Sequence, residues 1–136
     1  MNKYSGTKEV IAKPMTRGEY NSYRGWETPA NEDPNEEGYL VEYLDSPNKN
    51  HELHQNYISW SPKDVFDRSY KDVSDFKSRL ILEKSELDQK IDKLNQFIQS
   101  ENFSKVSYLQ QSLMVEQIQS MRNYSHTLER RLSILL

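Results

Sequence analysis

After Tyr70 the apolar residues of this chain fall into a helical rhythm, and that rhythm limits the fold more than any other feature. Phe76, Leu80, Leu87, Ile91, Leu94 and Ile98 recur at three- and four-residue steps, with Glu83 interrupting the register. Such spacing puts them along one side of a helix. "SENFS" then breaks the pattern, and Ser104 is placed to cap a second helix. In that helix Leu109, Leu113, Met114 or Ile118, Met121, Tyr124, Leu128, Leu132 and Leu135 make a long stripe. So short a connection forces antiparallel neighbours, a helical hairpin with arms of roughly 35 and 45 Å at about 1.5 Å per residue.

Two helices of that length cannot hide a wide apolar face from each other alone. Ile81 and Leu82 widen the first stripe, and Met114, Val115 and Ile118 widen the second. A homo-oligomer is therefore expected, with Leu94, Leu113, Met121 and Leu128 near its contacts.

The first half has a shorter, broken pattern. "TKEVIAKPM" predicts a strand over Lys8 to Lys13, ended by Pro14. Thr16 and Glu19 have capping-box spacing, so a short helix follows from Arg17 to Arg24, stopped by Gly25. The acidic, proline-bearing stretch from Glu27 to Gly38 reads as a loop. Tyr39 to Tyr43 is the clearest strand, and Tyr57 to Trp60 is another. Ser61 reads as a helix cap, with Pro62 opening a short helix to Arg68. Trp60 and Phe66 are expected to hold this last strand against that helix. The fold class is α+β: a small N-terminal mixed sheet with short helices (residues 1–71), then a long antiparallel α-helical hairpin (residues 72–136) as the oligomerisation element.

Charge and composition narrow the function. The formal net charge is only −3, too little positive field to collect a phosphate backbone and too little negative charge to imitate a duplex. Direct duplex nucleic-acid binding is therefore not expected. The chain has no cysteine, which removes disulfides, thiolate chemistry and cysteine-based zinc sites. No apolar run reaches membrane-spanning length and no signal peptide is evident, so the cytoplasm, without a membrane partner, is the expected location.

Catalytic candidates are thin. His51 and His54 stand three apart in a polar loop without a third ligand fixed by sequence, and they read as solvated loop histidines rather than a metal site. The carboxylate pairs Asp64 and Asp67, and Glu36 and Glu37, lack a setting that would push their pKa values apart. The four glycines are isolated, so no phosphate loop is present. No enzyme, cofactor, metal or catalytic residue is expected.

Binding suits the residues better. Arg17, Tyr20, Tyr23, Arg24 and Trp26 fall within ten residues of one another. Arginine forks beside aromatic faces can hold a phosphate and stack a base. They can equally make a protein hot spot, or the aromatics can pack under the sheet. Arg130 and Arg131 form a second cationic pair where they complement the helix dipole, and repeated copies could bring several to one phosphate. The expected partner is another protein or a phosphate-bearing small nucleotide, and the protein partner becomes a host protein only through the resemblance that follows.

"AKPMTRGEYNSYRGW", "EEGYLVEY" and "YISWSPKDVFDRSY" resemble a module of small accessory proteins of tailed phages and prophages. The stretch from "DFKSRLILEKSELDQKIDKLNQFI" to "YSHTLERRLSILL" resembles the helical-hairpin tail of many such proteins. More distantly, the chain resembles phage anti-defence sponge proteins, which are small, oligomeric and use a helical hairpin against cyclic-nucleotide signalling; none of their site residues is carried over. The resemblance implies a non-enzymatic phage protein that binds and blocks a host defence protein. Its alternatives are an oligomeric sponge for a cyclic-nucleotide immune signal and a phage structural or assembly protein.

Overall fold

The computed structural model describes residues 1–135. The chain forms two compact units, residues 1–70 and the segment from Lys71 onward. The first contains β1 (Val10–Pro14), α1 (Arg17–Tyr23), β2 (Gly38–Tyr43), β3 (Ile58–Pro62) and α2 (Lys63–Ser69). The sheet order is β1-β2-β3, and both pairings are antiparallel.

Register sorts the side chains. Leu40 pairs with Trp60 and Glu42 with Ile58, while Val41 pairs with Ser59. Alternation therefore turns Leu40, Ile58 and Trp60 to one face and Tyr39, Val41 and Tyr43 to the other. On the first face Tyr20 of α1 closes a core with Leu40 and Ile58, joined by Met15, Tyr23 and Trp60. On the second, Phe66 of α2 stacks on Tyr39 at 4.1 Å between ring centroids, with Tyr70 5.0 Å beyond. Trp60 and Phe66 thus serve opposite faces of the sheet, not one shared corner. The Trp60 indole N–H donates to the Met15 carbonyl at 2.8 Å. Gly38 lies beneath the ring, where a Cβ would overlap both the indole and the Ser61 carbonyl.

The helix ends follow local chemistry. Thr16 caps α1 by accepting from the Glu19 N–H, as its spacing predicts, and Gly25 leaves the helix at φ 76°. Ser61 does not cap α2. It is still paired with Tyr39 in the ladder, so Pro62 occupies the cap position and no side chain takes that role.

The second unit holds α3 (Phe76–Ile98), a 3-10 turn (Glu101–Lys105) and α4 (Tyr108–Ser133). Asp75 caps α3 by accepting from the Ser78 N–H at 2.7 Å. Ser107, rather than Ser104, caps α4. The Ser104 hydroxyl is spent on the Glu101 carbonyl inside the 3-10 turn, which Phe103 anchors edge-on against Phe97. Leu80, Leu87 and Leu128 form the core between the arms, flanked by Ile91, Met121 and Leu132. A polar rung crosses it: Asp88 accepts from Ser125 at 2.5 Å and from Lys84 at 2.7 Å.

This packing revises the expected oligomer contacts. Leu128 is 1% exposed and lies wholly inside the hairpin, so it has no surface to offer a second copy. Met121 packs against the same core, and Leu94 is half-buried. Leu113 retains 48% of its surface. Leu128→Ala should lower the unfolding free energy by about 2–5 kcal/mol, as for other buried leucines. Leu113→Ala should cost no more than about 0.5 kcal/mol in urea unfolding of dilute protein.

Candidate functional site

Helix α1 and its exit turn carry the aromatic and cationic residues of the first unit, and the fold divides them. Tyr20 is 5% exposed and belongs to the core, which corrects its expected role at a binding surface. Arg17 is held in a two-point ion pair with Glu32, at 2.9 and 2.7 Å, while its guanidinium lies 4.9 Å from the Trp60 ring centroid. Glu32 also accepts from Asn21. These bonds raise the Arg17 pKa and hold the Glu32 carboxyl below the usual range, Arg17 being the larger cause. Arg17 therefore fastens the acidic loop to α1.

Tyr23 is committed differently. Its hydroxyl lies 2.6 Å from His54 Nε2, and His54 Nδ1 lies 2.6 Å from a Glu42 carboxylate oxygen. That geometry assigns the Nδ1–H donor to Glu42 and lets Nε2 accept from the phenol. His51 stacks on the Tyr23 ring at 4.5 Å, and its Nε2 reaches the Tyr23 carbonyl at 3.2 Å. The two histidines are thus half-buried clamps of the loop over residues 44–57 on α1, not solvated side chains. Among the described residues, no group of three or more His, Asp and Glu could hold a metal ion.

Arg24 and Trp26 keep open surface. The Arg24 guanidinium lies 4.5 Å over the Trp26 ring, and one of its N–H groups donates to the Tyr20 hydroxyl at 3.0 Å. The left-handed Gly25 between them lets the chain turn back so that the two planes meet. Trp26 remains 53% exposed. The result is a braced aromatic platform with a cation attached.

The hairpin has its own counterpart. Because the arms are antiparallel, the start of α3 and the last turn of α4 lie at the same end. There the Arg131 guanidinium sits 5.6 Å from the Phe76 ring centroid. Phe76 is 53% exposed, and Arg130 is exposed beside it in the final turn. Here too a cation and an aromatic face are presented together, with a second cation free to reach a phosphate. Phe76 reads in the sequence as a core position; its place in the first turn of α3, next to the Asp75 cap, leaves it beyond the packed part of the stripe.

Residues 74–134 match the model of the Sequestin family, which makes the hairpin, including Phe76, Arg130 and Arg131, similar to that family. No curated protein and no solved structure matches the chain. No helix among the described residues is long and apolar enough to cross a membrane.

The carboxylates give a pH prediction. His54, and then Asn56, hold the Glu42 carboxyl below its ordinary value, and Glu32 is lowered in the same sense. A carboxyl lowered on folding stabilises the fold above its unfolded pKa, and that contribution is lost as pH falls through the folded value. Urea unfolding should therefore show stability falling as pH drops below about 4.5. Glu42→Gln should start less stable at pH 7 and lose less across the same acid window.

Proposed function

We propose that this chain is a phage-encoded sequestering protein that withdraws a phosphate-bearing nucleotide immune signal without transforming it. The observation that carries this reading is the match of residues 74–134 to a family named for sequestration rather than catalysis. The hairpin end supports it. Arg131 beside the exposed Phe76 ring offers a planar, cationic face to a base, and Arg130 offers charge-assisted hydrogen bonds to phosphate. Several copies brought together would multiply those groups around one ligand, which suits an oligomer in the host cytoplasm.

A second reading is favoured by the exposed Arg24–Trp26 platform. Tryptophan and arginine are the residues most enriched where proteins bind one another tightly, so this surface suits a host defence protein that is bound and blocked.

The purified chain, incubated with lysate of infected host cells, should retain a small nucleotide that heat releases chemically intact, as read by mass spectrometry. Arg130→Ala should reduce that retention by about tenfold or more, the usual scale for a lost charge-assisted bond to phosphate. A host protein retained near one-to-one, and lost in Arg24→Ala, would select the second reading. A nucleotide released in altered form would overturn both and make the protein an enzyme.

A further inference from the structure

The two edges of the sheet are finished differently. On β3 the Asn50 side chain acts as a substitute strand: its amide donates to the Ile58 carbonyl at 2.9 Å and its oxygen accepts from the Ile58 N–H at 2.8 Å. Pro62 has no N–H to offer further along that edge. On β1 nothing comparable is present, and among the described residues no other strand pairs with its outer side.

Ladder geometry says which groups that outer side exposes. Met15 N–H donates to the Gly38 carbonyl, so alternate residues Lys13 and Ile11 face β2, opposite Leu40 and Glu42. Val10 and Ala12 therefore turn both N–H and C=O outward. Ile11 is 60% exposed, an apolar side chain on an open strand edge. Just ahead of β1, the Lys8 ammonium reaches to 5.4 Å from the Tyr43 ring centroid.

An open edge of this kind recruits another strand unless something prevents it. Charge selects the strand. "EVIAK", residues 9 to 13, carries an acid at one end, a base at the other and Ile11 at its centre. Run antiparallel to itself about Ile11, it places Ile11 against Ile11 of the second copy and Lys13 against Glu9 of the second copy, twice. The same register sets Val10 opposite Ala12 with both backbone groups aligned, and sets Pro14, which can only accept, opposite the Lys8 N–H. Lys13 and Pro14 would deter a strand of other sequence or register, but they fit this one.

We propose that β1 is a self-complementary edge through which two copies of this chain join their sheets antiparallel about Ile11. This interface lies in the first unit and is independent of the hairpin match and of any nucleotide.

The chain has no native cysteine, so single thiols report the register directly. Facing residues at a non-hydrogen-bonded antiparallel site have Cα atoms about 4.5 Å apart, within disulfide reach. Under mild oxidation the full chain carrying Ile11→Cys should convert largely to a disulfide-linked dimer. Lys13→Cys should not, because its twin would lie roughly 13 Å along the strand. Equal cross-linking of the two variants, or none in Ile11→Cys, would overturn the proposal. As a measure that needs no thiol, sedimentation of Lys13→Glu should show association through this edge weakened by roughly tenfold, with Glu9→Lys/Lys13→Glu restoring it. Failure of the double reversal to restore what the single reversal loses would equally overturn it.

Discussion

The first unit depends on β2 having two different faces and neighbours on both edges. It is the only strand of the sheet paired on each side, and Val41 on one face and Ile58, across the ladder on the other, are both fully buried. From that strand α1 is set against one face through Tyr20 and Leu40, and α2 against the other through Phe66 and Tyr39. A unit this small buries little apolar surface, so position is shared with polar contacts that leave few orientations open. Glu42 projects from the same strand to hold His54, and His54 holds Tyr23. A one-residue slip of β2 would exchange its faces and lose the clamp and both aromatic contacts together.

The hairpin is governed by a different constraint. Leucine stripes alone tolerate sliding by a turn, because one leucine replaces another at little cost. The Asp88 rung does not. Lys84 and Ser125 both converge on that carboxylate, lowering its pKa, while Glu129 draws Lys84 from the other arm at 3.4 Å. Shifting one arm by a turn would leave Asp88 half-buried without its hydroxyl donor, so the rung fixes the alignment that the apolar residues leave permissive.

How much of this could be read from the chain alone depends on the range of the interactions. Both long helices follow from local spacing, and α3 runs from Phe76 to Ile98 as its stripe indicates. Thr16 was legible as a cap because a cap is settled within four residues. Ser104 and Ser61 were misleading because each hydroxyl or backbone had a better competing partner, in a 3-10 turn and in a strand ladder respectively. The partners of Arg17 and Tyr23 were not legible. Glu32 and His54 stand 15 and 31 residues away in sequence, and only the folded loops bring them near. Tyr20, Tyr23 and Trp26 look equivalent in the sequence, and the fold gives them three separate fates: core, clamp and surface.

The two tryptophans have a consequence for anyone observing this molecule in solution. Both belong to the first unit, Trp60 half-buried beneath an arginine and Trp26 largely open beside another, and the helical hairpin has none. Indole emission therefore originates in the first unit alone, while far-ultraviolet circular dichroism is dominated by the two long helices of the second. The chain carries a separate optical label for each half, so a difference between the two melting curves would be a property of the protein rather than an artefact of the probe.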